Sequence, residues 1–572
     1  MIVGIGGGLG AVLFCWVIRA NQIVFFEWLL PWLSLSYHGL NLGILLLPAL
    51  GGLIAGPIIH KVALEAKGHG VPEVMEAAFT KGGSIRARVA AIKVMVSSTT
   101  IGSGGSAGRE GPIAQIGASI GSSLGQLFKL SSHDIRLLTI CGVAAGIGGT
   151  FNAPLGGVLF GLEVVFRHYT LVSAVPVLLA AIVGTSVATV FLGSSPLSPA
   201  FTTKPFVYSI GEIPFYLILG LVFGVVAFLW VRAFYSLESL FDRLPMSGRW
   251  KLALGGLATG SIGMLLLPYY HASGGLPTSF GLLGVGYDGL ELILAGSIPL
   301  LLLLLLGLLK VVTTSSTIGS GGSGGIFSPS LYIGAAFGGV LGTTFRFLFP
   351  EIIKQPYAYS LAGMAALFSE TASAPLMSIV MIPEMCHDWA LLPPIMASSA
   401  TSYLVSRWLL KGSSIYTLKL ERRGIPIVKK RGLLEMVPVK EIMTERVITV
   451  GEHEKTAKLL ELVSKYGHPT YPVINSKGKI VGLAGVNAIS KLGPEEMTST
   501  PIAEILNRRV LKVHPDDTVQ TALETMRRNN VERLLVVDES EPRILRGVVT
   551  KLDVIHAYVR EERELEEDLL SF

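Results

Sequence analysis

Charge is scarce over most of this chain. The first 431 residues hold 44 Asp, Glu, Lys and Arg, whereas the 141 residues from Gly432 onward hold 42. That is roughly one residue in ten against one in three, a step that separates a lipid-facing part from a water-facing part. Cysteine is scarcer still. Cys15, Cys141 and Cys386 stand alone in apolar stretches with no CxxC spacing. This argues against a disulfide framework or thiolate metal site and reads them as small core residues. The net charge of +6 is small for 572 residues and forms no basic patch, so no nucleic-acid partner is expected. No basic segment precedes the first apolar run, so a cleavable signal peptide is not expected; the chain starts at Met1 inside that run, and a longer natural N-terminus is compatible with it. HExxH, GxSxG and paired-carboxylate motifs are missing, which leaves a membrane-embedded hydrolase without support; no enzymatic activity is expected.

Apolar sequence is what the chain has in excess, with 50% hydrophobic residues and a mean hydropathy of +0.59. Apolar stretches recur from Ile2 to about Leu410, among them Gly43–Ile59, Thr170–Leu192, Phe215–Val231 and Leu292–Leu309. Many are interrupted by Gly, Ser and Pro. A backbone that breaks at membrane depth must be buried in protein or line an aqueous cavity, so the breaks predict a pathway and not a simple anchor.

The chain also repeats itself. Lys93–Pro112 (KVMVSSTTIGSGGSAGREGP) and Lys310–Pro329 (KVVTTSSTIGSGGSGGIFSP) share twelve of twenty positions at an offset of 217. At an offset of 221, Gly142–Glu163 matches Gly363–Glu384, including Pro154/Pro375 and Glu163/Glu384. Two homologous halves therefore build a membrane part of transporter type. A basic linker follows, with Lys419, Arg422, Arg423, Lys429, Lys430 and Arg431, which the positive-inside rule places in the cytoplasm. Beyond it the periodicity changes to strands at Val447–Val450, Tyr471–Ile474 and Ile480–Leu483 with a helix over Thr456–Tyr466. A second unit has strands at Val510–Val513, Leu534–Asp538 and Leu545–Val549 with a helix over Thr518–Asn529. The expected boundaries are 1–418, a linker at 419–436, α/β units at 437–495 and 496–560, and an acidic, frayed helix end at 561–572.

Small residues in GSGGSAGREGP let the backbone turn sharply and leave amide N–H groups exposed at a helix start. With the helix dipole, such amides favour an anion without a full positive charge, weakly enough to release it. Neither copy ends in GKS or GKT, so a phosphate-binding P-loop is disfavoured. A cation transporter would need acidic residues along its path, and amide donors repel cations. Glu110 stands in the first loop where Phe327 stands in the second. A carboxylate at membrane depth costs about 2.5–3.5 kcal/mol or more and is a functional candidate. Among anion-binding amides it would compete with the permeant ion and leave on protonation.

GREGP (Gly108–Pro112), GIFSP (Gly325–Pro329) and GHGVPEV (Gly68–Val74), with FNAPLGGVLFGLE and SSIYTLKLERRG, resemble the CLC family of chloride channels and proton/chloride antiporters. The resemblance runs from about Gly43 to the C-terminus. It implies an α-helical polytopic membrane protein with an inverted internal repeat and broken helices. It also implies a homodimer, with one chloride pore per subunit, in the cell membrane. By position, Glu110 looks like the gating glutamate. His69, Gly70, Arg109, Gly111, Ile326, Phe327 and Tyr416 match the anion-contacting positions. The family's first motif usually carries serine where His69 stands; an imidazole can still donate a hydrogen bond.

Antiporters of the family usually place an acid immediately after the glutamate of the FNAPL segment. Here Glu163 is followed by Val164. Valine at that position resembles the channel members, so the resemblance implies a glutamate-gated chloride channel, with a proton-coupled chloride antiporter as the alternative. The C-terminal units resemble tandem CBS domains, expected in the cytoplasm. The second ends GVVTKLD, where Thr550 and Asp553 fit an adenine-nucleotide signature such as that for ATP; the first reads GLAGVN and departs from it. No cofactor or metal is otherwise required.

Overall fold

The computed structural model describes residues 1–37, 40–167, 171–193, 206–266, 279–410, 412–425, 434 and 437–570. The chain forms two compact units, Met1–Ile427 and Val428–Phe572. Among the described residues, seven helical spans of the first unit are long and apolar enough to cross a membrane. Leu42–Val62, Ile210–Arg243 and Leu300–Gly319 are three of them. The apolar stretch expected over Leu292–Leu309 is two helices, Tyr287–Leu294 and Leu300–Gly319. Gly296, at φ +68°, and Pro299 break it, because a left-handed residue and a missing N–H cannot continue an α-helix.

The two halves face each other through equivalent residues. Gly108 and Gly325, 217 positions apart, exchange both backbone hydrogen bonds, at 2.7 and 2.6 Å. The Ser97 hydroxyl pairs with Ser323 at 2.8 Å, and Ser106 with Thr314 at 3.1 Å, the same pair seen from the other half. Asn152 and Ser373, equivalent at the 221 offset, both turn through the left-handed region at φ 52° and 55°. Reciprocal contacts of this kind are what a two-fold axis between inverted halves produces.

Glu163 and Glu384 extend the same symmetry. Glu163 accepts from the amides of Leu376 (3.2 Å) and Met377 (2.6 Å), and Glu384 from Leu155 (3.0 Å) and Gly156 (2.7 Å). Each glutamate caps the partner half's Pro-initiated helix, Pro375–Cys386 or Pro154–Leu159, where two amides have no intrahelical acceptor. Replacing Glu384 by alanine strands both amides. Stranding buried donors costs about 1–3 kcal/mol each, so the melting midpoint in detergent should fall markedly, with Glu384→Gln intermediate.

The first unit continues to Ile427, past the boundary expected at 418, because part of the basic linker is structural. Ile415–Arg422 is a helix capped by Ser414. Lys419 and Arg422 pair with Glu238, and Arg423 with Glu73 (2.7 Å) and Glu76 (3.3 Å). Lys429, Lys430 and Arg431 lie outside the described residues.

The second unit contains two three-stranded sheets, each with one parallel and one antiparallel pairing. The expected helices occur as Thr456–Tyr466 and Val519–Asn529, and the central strands as Thr470–Ile474 and Arg533–Val537. The first strand of each unit is shorter than expected, Val450–Gly451 and Lys512–Val513. The last helix, Lys551–Leu570, runs into the acidic tail, whose side chains from 561 onward lie outside the described residues.

Candidate anion pathway

Two glycine loops and the segment before Val71–Thr80 meet at the centre of the first unit. Gly68 donates to the Gly322 carbonyl (3.1 Å), and Gly324 donates to the Gly68 carbonyl (3.3 Å). Lys93 is fully buried and its ammonium donates to the carbonyls of Ala66 and Gly68, each at 3.0 Å. Its repeat equivalent, Lys310, donates to Gly281 at 2.7 Å. Gly70 turns at φ +84°, and a Cβ there would stand 2.7 Å from the Gly111 carbonyl oxygen. This close approach brings the first helix start against the other two.

His69 is 2% exposed, and neither ring nitrogen has a hydrogen-bond partner. Its ring centroid lies 5.4 Å from Phe234 and 6.1 Å from Tyr416. Buried polar atoms are almost always satisfied, so two orphan nitrogens mark a position for a ligand or water. Tyr416 is held in place from behind: Ser414 and Thr417 form a capping box, and the Tyr235 hydroxyl donates to the Ile415 carbonyl. A cavity of about 820 Å³ is bordered by Gly68, next to His69 in the chain, and by Lys67, Arg86, Lys419 and Arg423.

Glu110 begins the helix Glu110–Leu127 but its carboxyl leaves that helix and crosses to the other repeat. Oε2 accepts from the Ser328 amide (3.3 Å), at the start of the helix Phe327–Leu348. Oε1 accepts from the Tyr287 hydroxyl (2.8 Å) and from the Ser328 hydroxyl. Gly108 makes room for this reach, since a Cβ there would lie 2.0 Å from Oε2. Arg109 makes no ion pair with it. Its guanidinium donates to the Thr150 carbonyl (3.1 Å) and the Cys15 sulfur (3.5 Å) and sits over Tyr287 and Phe151. Glu110 therefore occupies the position an anion would take at a helix start, 1% exposed and without a cationic partner.

The amides of Arg109, Gly111, Ile326 and Phe327 make no backbone hydrogen bond. They stand at the two helix starts as donors, with the Phe327 ring against Phe368 (4.4 Å) and Phe151 (5.2 Å). Ser328 and Tyr287 complete the site and were not among the residues expected from sequence. Ser328 carried a signal, being the next amide of GIFSP; Tyr287, 177 positions from Glu110, carried none. Val164 is buried in a π-helical stretch, Phe160–Phe166, directly after Glu163.

In the second CBS-like repeat, Asp553 Oδ2 accepts from both the amide and the hydroxyl of Thr550, each at 2.8 Å. The two residues thus bond to each other, with Oδ1 left uncommitted. Among the described residues no cluster of His, Cys, Asp and Glu could hold a metal.

Helix starts of two inverted halves converging on a buried carboxyl, within a unit of long apolar helices, define an integral membrane protein of transporter type. The family model described as voltage gated chloride channel matches residues 51–407, and that for the CBS domain matches 439–492 and 502–560. The chain belongs to the voltage-gated chloride channel family, CLC, and carries tandem CBS domains. It is 32% identical over 435 residues to a Vibrio cholerae protein named H(+)/Cl(-) exchange transporter ClcA, covering 74% of this chain and 88% of that one. A Ralstonia nicotianae protein named putative chloride channel protein ClcB-like is 31% identical, with 74% and 95% covered. A solved structure described as a slow cyanobacterial Cl−/H+ antiporter superposes with a TM-score of 0.64 at 27% identity, covering 74% and 96%.

Proposed function

We propose that this protein exchanges chloride for protons, with Glu110 as the moving group. The observation that carries the reading is the Glu110 carboxylate seated on the Ser328 amide, in the place of an anion. Chloride entering there must displace it from the three donors that hold it, which makes this carboxylate the group that would move and carry the exchanged proton. The sequence alone favours a channel, through Val164. The names of the relatives favour exchange, and Val164 fills one position on a path that other groups can serve.

The amides of Arg109, Gly111, Ile326 and Phe327, the Tyr416 hydroxyl and the His69–Gly70 turn would hold the anions. A neutral His69 offers one N–H to an inner anion, replacing the serine hydroxyl usual at that position. Glu110→Gln removes the competing charge, so it should bind one more anion per subunit than the parent. Bromide anomalous diffraction counts them; an equal number in both proteins contradicts the gate.

The assembly is proposed as a homodimer in the cell membrane, with the Arg423 end and the CBS domains in the cytoplasm. In the second CBS domain, Thr550 and the free Oδ1 of Asp553 fit a ribose and phosphate of an adenine nucleotide. Calorimetry with ATP should show binding that Asp553→Ala abolishes; equal heats from both would remove the site.

A further inference from the structure

Glu370 is a buried carboxyl that the gate does not use. It lies in the last turn of Tyr357–Thr371, 2% exposed, and its Oε2 has no hydrogen-bond partner. The helix Leu392–Leu409 faces it with serines one turn apart. The Ser398 hydroxyl donates to the Ala362 carbonyl (3.4 Å) and Ser402 to Ala366 (2.9 Å). The next step of both helices brings Ser406 to Glu370. The Ser406 hydroxyl faces the carboxyl without completing a hydrogen bond, and the nearby Ser399 hydroxyl is also unpartnered.

Among the described residues no charged side chain compensates this acid. Arg407 on the facing helix and Arg232 on Ile213–Arg243 make no ion pair with it, and Glu384, Glu238 and Asp288 are acids that cannot compensate it. An uncompensated carboxylate in such surroundings is costly and is a functional group by default. Protonation gives it a donor of its own, which the facing Ser406 hydroxyl can accept.

Its place suits the missing half of the exchange. Ser406 is in the last turn of its helix, at the end from which the chain runs into the Tyr416 helix. Two residues before Glu370, Phe368 packs on Phe327, Phe327 on Phe151 and Phe151 on Tyr287, whose hydroxyl meets Glu110. Glu370 thus lies two residues from one end of an aromatic chain whose other end, the Tyr287 hydroxyl, meets Glu110.

We propose that Glu370 is the inner proton-carrying residue of this chain, serving the step that Val164 cannot. A proton from the inner solution binds the Glu370 carboxylate, travels along water past the Phe368–Phe327 wall to the displaced Glu110 carboxylate, and leaves Glu370 ionised. The inference rests on the exchange reading above. Loss of a proton-transfer group slows transfer by about 100-fold or more. In liposomes, Glu370→Gln should therefore lose chloride-driven proton movement to that extent while chloride flux changes little, and Glu370→Asp should restore part of it.

A Gln variant that moves protons at the parent's ratio overturns the inference and leaves the exchange reading standing. A parent that moves no protons overturns both. Should Glu370→Gln lose chloride flux as well, infrared spectroscopy on the parent decides. A carboxylic C=O band that shifts in Glu370→Asp supports the assignment, and the absence of such a band overturns it.

Discussion

Glu110→Ala is expected to carry chloride without moving protons. The variant removes the carboxylate that now accepts from Tyr287, the Ser328 amide and the Ser328 hydroxyl, and vacates an anion position at the start of Phe327–Leu348. Those donors remain, so anion binding should persist or strengthen. The proton carrier is gone, and removal of such a group costs about 100-fold or more in proton transfer. Chloride efflux should continue at a rate equal to or above the parent's, because nothing competes with the ion. Ion-selective electrodes and a pH electrode in the same liposome suspension read both. Retained coupling in Glu110→Ala would remove Glu110 from the mechanism.

The second large effect is expected at Lys93. Its ammonium is fully buried and bonds only to the carbonyls of Ala66 and Gly68, immediately before His69. Lys93→Met leaves both carbonyls without that donor, at about 1–3 kcal/mol each, and so loosens the turn that aims His69 and Gly70. It also removes a positive charge close to the inner anion position. At a separation of about 10 Å and an effective dielectric of about 20, that charge is worth about 1.5 kcal/mol, or about tenfold in affinity. Calorimetric chloride binding to Lys93→Met should weaken by at least that factor. Lys310→Met should have a smaller effect, since Lys310 holds the Gly281 carbonyl instead of the anion loop. Equal losses in the two variants would mean that the lysines act only through stability.

Much of this arrangement was legible before any coordinates. The repeat at 217 located both glycine loops, and the Glu110/Phe327 difference between them marked the carboxyl that the structure seats on the Ser328 amide. Amphipathic periodicity located the CBS helices because each packs one face on its own small sheet. What was hidden depends on contacts between distant residues. The reciprocal capping by Glu163 and Glu384 was visible only as a matched pair, since nothing in either segment says that each serves the other's helix. Tyr287 follows a glycine with no motif around it, and reaches Glu110 only because Tyr287–Leu294 packs beside the gate. Glu370 sits inside an apolar run and differs from an ordinary helix-end glutamate only in its burial, with Ser406 facing it. The basic linker was misread in part because local charge cannot show that Lys419 and Arg422 have Glu238 as a partner.

The most direct test of the central claim uses the unmodified protein in liposomes. They are loaded with high chloride at equal internal and external pH, with the membrane potential clamped by potassium and valinomycin. Exchange predicts that chloride efflux drives protons inward against the gradient that develops, so the external solution becomes alkaline in proportion to the chloride released. Chloride efflux with an unchanged external pH would contradict exchange and return the protein to a glutamate-gated channel.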